Sequence, residues 1–359
     1  MIKSWQRIID IAMANPEHVK ILLEGGVEGW NRWRKENPEV EPNLESFSFQ
    51  KIDKALVTPL LEREKSCVGE LIGLDLQNAI LYDANFNKMS LINVDFSNSY
   101  MRYAQLNQSS LWGCVFNETD LTMSNWSGCV AHVSNFNKSK LNNVHMRRGA
   151  FIKCDFHNAS LVEADFTSSI LTSSEFNESN MAAAIIVGSD LQNCSFEGAF
   201  INGIKYDRRN LKSRSLRVAS AYGSQMFRRD AMDACYIAEF KEKHPFWHTL
   251  WSISSDCGRS LAQWAFWSMM IALWFGAFFW LLNLDIGFGK SFETAQLSGD
   301  SFLTMLYYSV VTFTTLGFGD VIPKTSFAAM MVMFEVILGY IMLGGLISIF
   351  ANKLARRSG

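Results

Sequence analysis

The sequence predicts a multidomain membrane protein, a square β-solenoid followed by an all-α hairpin of two membrane helices with a short re-entrant helix between them. Three observations predict it: a five-residue step of large apolar residues from Leu71 to Tyr206, a second period of twenty laid over it, and two long stretches near the carboxyl end almost free of charge. Whole-chain averages conceal the division. The 359 residues suffice for about two or three domains. Lys plus Arg is 33 against 35 for Asp plus Glu, a formal net charge of −2 that gives no overall basic field for nucleic acid. Mean hydropathy is +0.04 with 19% charged residues, apolar for a soluble protein and polar for an all-membrane one, so part of the chain has to face lipid.

Residues 1–66 read as a helical amino-terminal cap, with Trp5, Ile8, Ile9 and Met13 at helical apolar spacing. Asp10, Pro16, Glu17 and Glu24 interrupt the apolar run that a secretory signal needs, which predicts a cytoplasmic amino terminus. Seven scattered cysteines, Cys67, Cys114, Cys129, Cys154, Cys194, Cys235 and Cys257, are an odd number without a CxxC pair and suit a reducing compartment.

Residues 67–206 carry the repeat. Of its 28 central positions only Ala131 is not a large apolar residue, and a small residue, such as Ala79, Ala84, Ser99 or Cys114, stands two before most of them. A period of five fits neither the 3.6 of a helix nor the 2 of a long strand, so the chain has to turn a corner in every repeat. Phe96, Phe116, Phe136, Phe156, Phe176 and Phe196 recur every twenty residues, which closes one coil with four repeats. Seven such coils at roughly 4.8 Å make a rod of about 34 Å. Each buried central side chain contributes about 1.5 to 3 kcal/mol against the ordering entropy. The spacings Cys129/His132 and Cys154/His157 suggest a metal pair, but the cysteines fall on inward positions and the histidines on outward ones, so the side chains diverge.

This pattern, with Asn or Asp often just before the central residue (Asp75, Asn85, Asp95, Asp120, Asn135, Asp155), resembles the pentapeptide-repeat family. The resemblance implies a right-handed quadrilateral β-helix serving as a rigid interaction surface, with residues such as GVEGWNRWRKENPEVEPNL as its lead-in. Some pentapeptide proteins mimic DNA and inhibit a topoisomerase. Here residues 71–206 hold 12 acids and 8 bases, a weak charge for a duplex mimic.

Residues 207–260 form a linker. Arg208, Arg209, Lys212, Arg214 and Arg217 make a basic run that suits anionic lipid or a solvated face, and a helix is predicted over 220–243. FWHTLWSISS then places Trp247 and Trp251 four apart, suiting a helix along the cytoplasmic membrane interface that transmits force from the solenoid to the membrane-spanning pore segment.

Residues 261–359 hold the membrane hairpin. The 25 residues 260–284 are uncharged, and the 28 between Lys324 and Lys353 carry one charge, Glu335. Each is long enough to span a bilayer. Six of the eleven tryptophans fall between Trp247 and Trp280, as at a membrane boundary. Lys241, Lys243 and Arg259 precede the first span and Lys353, Arg356 and Arg357 follow the second, which predicts both ends in the cytoplasm and a multi-pass protein of the cell (inner) membrane. Between the spans, Asp300 and Ser301 can cap FLTMLYYSVVTF, too short to cross and suited to a re-entrant helix.

Thr314-Thr315-Leu316-Gly317-Phe318-Gly319-Asp320, followed by Pro323, resembles a potassium-channel pore loop. The resemblance implies a homotetrameric, non-enzymatic channel with no cofactor besides permeant K+. The ion would bind the carbonyls of Thr315, Leu316, Gly317 and Phe318, with Gly319 completing the filter and Asp320 at its mouth. Leu316 in place of Val or Ile leaves general monovalent cation conduction as an alternative, and a membrane-tethered binding scaffold with a non-conducting hairpin is the rival from another class. Gly339, nineteen residues after Asp320, stands where related channels often carry an inner-helix hinge. Tyr340, Leu343, Ile347 and Ala351 follow at helical spacing, lining either a cavity or the contact with the outer helix. Glu335, the sole acid or base within either span, is a candidate modulator bonded to Tyr307 or Tyr308, or a protonated structural acid. No nucleotide or calcium motif stands out, and the solenoid's regulatory partner is unspecified.

Overall fold

A chain with large apolar residues five apart brings them to one core only by bending in each repeat, and residues 69–207 do so, with Leu71 to Ile201 buried and Tyr206 partly buried at the end. The computed structural model describes residues 14–51, 69–207, 211, 216–284, 290–295 and 301–355. Trp5, Ile8, Ile9, Met13, Cys67, Arg208, Arg209, Lys212, Arg214, Asp300, Arg356 and Arg357 lie outside these residues. The chain divides into two compact units, Met1–Glu239 and Phe240–Gly359.

In the first unit, most corners away from the strand face are β-turns closed by the amide three residues after the central one, as in Ala79 N to Leu76 O (3.3 Å) and Ala84 N to Leu81 O (3.2 Å). The residue two after the centre is left-handed: Asn78, Asp83, Lys88 and Asn93 have φ of 54°, 53°, 57° and 52°. Positive φ at the third turn position defines a type II turn. Successive coils pair in parallel at a spacing of twenty, as in Leu71↔Leu91, Leu91↔Leu111 and Leu111↔Ala131.

One face of the coil is extended enough to form strands. They are β1 (Gly69–Ile72), β2 (Met89–Ile92), β3 (Ser110–Trp112), β4 (Val130–His132) and β5 (Ala150–Ile152), in spatial order β1-β2-β3-β4-β5. Elsewhere an Asp or Asn before the central residue accepts the amide two residues on, as Asp75 does from Gln77 (3.0 Å) and Asp155 from His157 (2.9 Å). Such local bonds compete with an extended ladder. On the strand face that position holds Ser90, Ser110, Val130 and Ala150, which make no such bond among the described residues.

Inside, the phenylalanines twenty apart stack nearly parallel with centroids 4.7–5.0 Å apart, from Phe96–Phe116 to Phe176–Phe196. Trp126 reaches Phe151 at 6.4 Å, filling the column from which Ala131 withdraws. Burial pushes the Cys114 thiol up to about 11 and those of Cys154 and Cys194 to about 12, whereas His132 lies outside, its ring tilted against that of Trp112.

Both ends of the ladder are covered. Helix α1 (Pro16–Glu36) starts at Asn15, whose side chain accepts from Glu17 N, and Trp30 donates its indole N–H to the Asp75 carbonyl (2.6 Å). At the other end the ladder continues past Tyr206 through Ser195↔Arg217 and Phe200↔Tyr222. The following helix therefore starts later than position 220: α2 is Gln225–Lys243. Its Phe227 ring packs on Phe196 and Tyr206, and Asp230 accepts from the Tyr206 hydroxyl (2.7 Å).

The second unit contains α3 (Pro245–Ser255), α4 (Leu261–Asn283), α5 (Phe302–Phe313) and α6 (Ser326–Ala355). Asp256, Cys257 and Gly258, all at positive φ, reverse the chain after α3, and Ser260 caps α4 by accepting from Gln263 N. Only 22% and 17% of the most apolar windows of α4 and α6 are buried, unlike core helices of a soluble domain. The two helices are long and apolar enough to cross a membrane.

Val133 tests the corner chemistry. It is a β-branched residue at φ 51°, half exposed at its corner. Left-handed backbone costs an ordinary L-residue about 1–2 kcal/mol, and Asn less. Val133→Asn is expected to stabilise the solenoid by about 1 kcal/mol, read as a higher midpoint of solenoid unfolding by circular dichroism.

Candidate functional site

The site is built where α5 ends between α4 and α6. Gly276 of α4 lets the two helices close on each other, since a Cβ there would lie 2.9 Å from Leu306 Cα. Ser301 occupies the amino cap of α5 but makes no side-chain cap bond, contrary to the sequence expectation, and its carbonyl accepts from Thr304 N and Met305 N instead. Tyr308 packs on Phe279 (5.7 Å) and Phe292 (5.5 Å), which fixes the rotation of α5.

After α5 the backbone alternates in hand. Thr315, Gly317 and Gly319 have φ of 60°, 55° and 76°, while Leu316 and Phe318 between them do not take positive φ. A Cβ on either glycine would meet nothing within 4 Å, so the conformation and not the space calls for glycine. Residues 314–319 are exposed in the single chain, and among the described residues no hydrogen bond is made to the carbonyls of Thr315, Leu316, Gly317 or Phe318. A cavity bounded by Tyr308, Thr312, Val332 and Tyr340 lies against this segment.

An element that the sequence reading missed holds the far side. Strand β6 (Phe292–Thr294) pairs antiparallel with β7 (Val321–Pro323), and Ala295 N donates to the Asp320 carbonyl (3.0 Å). The residues before α5 and those after the glycine segment are thereby clasped together. The Asp320 side chain lies on the side of α5 that carries Tyr307.

Residues 269–356 match the family model described as "Ion channel", and residues 70–108, 134–172, 150–186 and 159–198 match "Pentapeptide repeats (8 copies)". The chain joins pentapeptide repeats to an ion-channel segment. No curated protein matches it. Solved structures similar to it include QnrB1, a plasmid-mediated fluoroquinolone resistance protein, at 11% identity and TM-score 0.23, covering 45% of this chain and 82% of that one. HetL, a pentapeptide repeat protein involved in heterocyst differentiation regulation from the cyanobacterium Nostoc, matches at 14% identity and TM-score 0.20, covering 53% and 92%. A pentapeptide repeat protein from the Arabidopsis thaliana thylakoid lumen matches at 24% identity and TM-score 0.11, covering 38% and 63%.

In the ion-channel segment, α6 runs unbroken through Gly339. A Cβ at Gly339 would strike the Phe313 carbonyl, so the position predicted as a hinge is required for the close crossing of α6 over the end of α5. Gly345 likewise receives the ring of Trp264, whose indole donates to the Met342 carbonyl (2.7 Å). A Cβ on Gly344 would meet nothing within 4 Å.

Tyr340, Leu343, Ile347 and Ala351 are all exposed, whereas Met342 and Ile349 are buried. The predicted stripe is therefore left uncovered within a single chain, and its first member, Tyr340, borders the cavity beside Tyr308 and Thr312. Glu335 is fully buried and bonded to Ser309, not to the tyrosines expected from sequence, because Tyr308 points toward Phe279 and Phe292 and Tyr307 toward Asp320. On α3, Phe246, Trp247, Leu250 and Ile253 are exposed, while Trp251 turns inward onto Phe240 (5.6 Å), so the two tryptophans do not act as a pair. Trp267 of α4 donates to the Ile253 carbonyl (2.8 Å) and holds α3 to the start of α4.

The glycine geometry separates two roles. Gly339→Ala is expected to destabilise the assembled protein by about 1–3 kcal/mol through overpacking. Gly344→Ala, relieving a helix-interior glycine, is expected to leave it unchanged or stabilise it by up to about 1 kcal/mol. Thermal unfolding of both variants in detergent reads the difference, and equal effects would refute the packing role of Gly339.

Proposed function

We propose that four copies of this chain surround one axis and conduct potassium, the carbonyls of Thr315, Leu316, Gly317 and Phe318 replacing the water shell of the ion. The observation that carries this reading is the alternating backbone hand at Thr315, Gly317 and Gly319, which lets successive carbonyls share a side while none is used among the described residues. In this reading the Thr315 hydroxyl closes the inner end of the filter, Gly319 completes its outer end and Asp320 stands at the mouth. The carboxyl end of α5, where a helix carries partial negative charge, delivers the cation toward the filter.

The exposed stripe of Tyr340, Leu343, Ile347 and Ala351 then lines the inner cavity, and the apolar face of α3 lies on the membrane surface. Its Phe246, Trp247, Leu250 and Ile253 bring apolar area without charge, as an interfacial helix needs. Both chain ends lie in the cytoplasm of a cell (inner) membrane protein. The cap (residues 1–66), solenoid (67–206) and linker (207–260) serve assembly or regulation of the pore domain (261–359). Transport of this kind makes and breaks no covalent bond.

Purified protein in liposomes under a potassium-to-sodium gradient is expected to show a reversal potential displaced toward the potassium equilibrium value, and Gly317→Asp is expected to abolish the flux. A reversal potential near zero would replace the potassium reading with general monovalent conduction, the outcome that Leu316 in the filter would favour. Absence of flux from well-folded wild-type protein would leave the scaffold reading.

A further inference from the structure

The Ser309 hydroxyl faces two acceptors with one proton. Its Oγ lies 2.7 Å from the Ala272 carbonyl oxygen of α4 and in hydrogen-bond contact with Oε1 of Glu335 on α6. A main-chain carbonyl has no proton to give, so the contact with Ala272 is made by Ser309 donating. That uses the hydroxyl's only proton. The hydrogen atom between Ser309 and Glu335 therefore has to come from the carboxyl group.

The surroundings agree with a neutral acid. Glu335 has no exposed surface, and its Oε2 has no partner among the described residues. An ionised carboxylate so placed would lose its hydration and gain one hydrogen bond at most. The groups facing it bring no positive charge. Helix α4 has no titratable side chain between Leu261 and Asn283. Helix α5 offers Tyr308 and, directed toward Asp320, Tyr307. On α6 itself Tyr340 is the nearest titratable neighbour in sequence within the span, and it is exposed on another face.

We propose that Glu335 is kept as a carboxylic acid that donates to Ser309, which donates on to Ala272, and that this chain of two hydrogen bonds couples gating to pH by tying the outer, pore and inner helices together only while the proton is present. Loss of the proton leaves Ser309 with one hydrogen for two acceptors, so one of the two ties must open. The helix that then loosens is α5, whose carboxyl end carries the glycine segment. Glu335 is in this sense a positioning residue: it touches no ion and acts through Ser309. The proposal rests on the channel reading for its consequence and on the hydrogen-bond arrangement for its chemistry.

The experiment uses the full-length protein in lipid and two readouts. Infrared spectroscopy is expected to show the carbonyl stretch of a protonated carboxyl group that is missing in Glu335→Gln and shifted in frequency in Ser309→Ala. Single-channel recording is expected to show an open probability that changes on alkalinisation in the wild type and loses that response in Glu335→Gln, whose amide keeps the donor but cannot ionise. Should Glu335→Gln fail to assemble, the Ser309→Ala frequency shift and the loss of the band on raising the pH of the wild type test the same assignment. Absence of any band assignable to Glu335, or an alkaline response retained in Glu335→Gln, overturns the proposal. A wild type that holds the infrared band yet conducts nothing removes the channel reading and with it the gating role, while leaving the protonated chain intact.

Discussion

Main-chain polar groups have to find partners, and this molecule meets that constraint in opposite ways in its two units. In the solenoid, amides and carbonyls are committed between coils at a spacing of twenty, so the backbone is closed to outside ligands along the stack. In the membrane unit α4 and α6 satisfy their own backbones, as a lipid environment demands. The exception is the run from Thr315 to Phe318, whose carbonyls accept no hydrogen bond among the described residues. A run of unspent carbonyls is tolerable at membrane depth only where water or an ion reaches it.

The unspent run is held by its neighbours. The clasp of β6 on β7 fixes it from one side, Tyr308 wedged between Phe279 and Phe292 fixes α5 from another, and Gly276 and Gly339 let the three helices approach within reach of that wedge. None of these contacts is strong alone. Their effect is to leave the end of α5 one position to occupy, so a small change at the crossing point is transmitted to the segment that follows.

The solenoid was legible residue by residue because its period is imposed by the chain itself: every inward position read from the five-residue step, from Leu71 to Ile201, is buried. The left-handed corners were not legible, since Lys88, Tyr103, Met123 and Val133 occupy a conformation that their side chains do not advertise. In the membrane unit, the spans and the glycine segment could be read from charge and spacing. The partner of Glu335 could not, because one step along α5, from Tyr308 to Ser309, turns the contact by about 100°. Gly339 shows the same limit: sequence marks a small residue, and only the packing tells whether it is there to bend or to let Phe313 come close. The β6–β7 clasp is three residues a side and contains Pro323, below the length at which alternation carries a signal.

The phase-locked stacking of the solenoid also limits how this protein can change over generations. Losing or gaining a single amino acid within the stack would throw every later phenylalanine out of its pile, whereas losing or gaining twenty would restore the pattern and alter only the height, by about 4.8 Å. Distance between the capping helices at either end is therefore adjustable in whole storeys, as on a ruler with one graduation, without rewriting any of the chemistry that holds the column together.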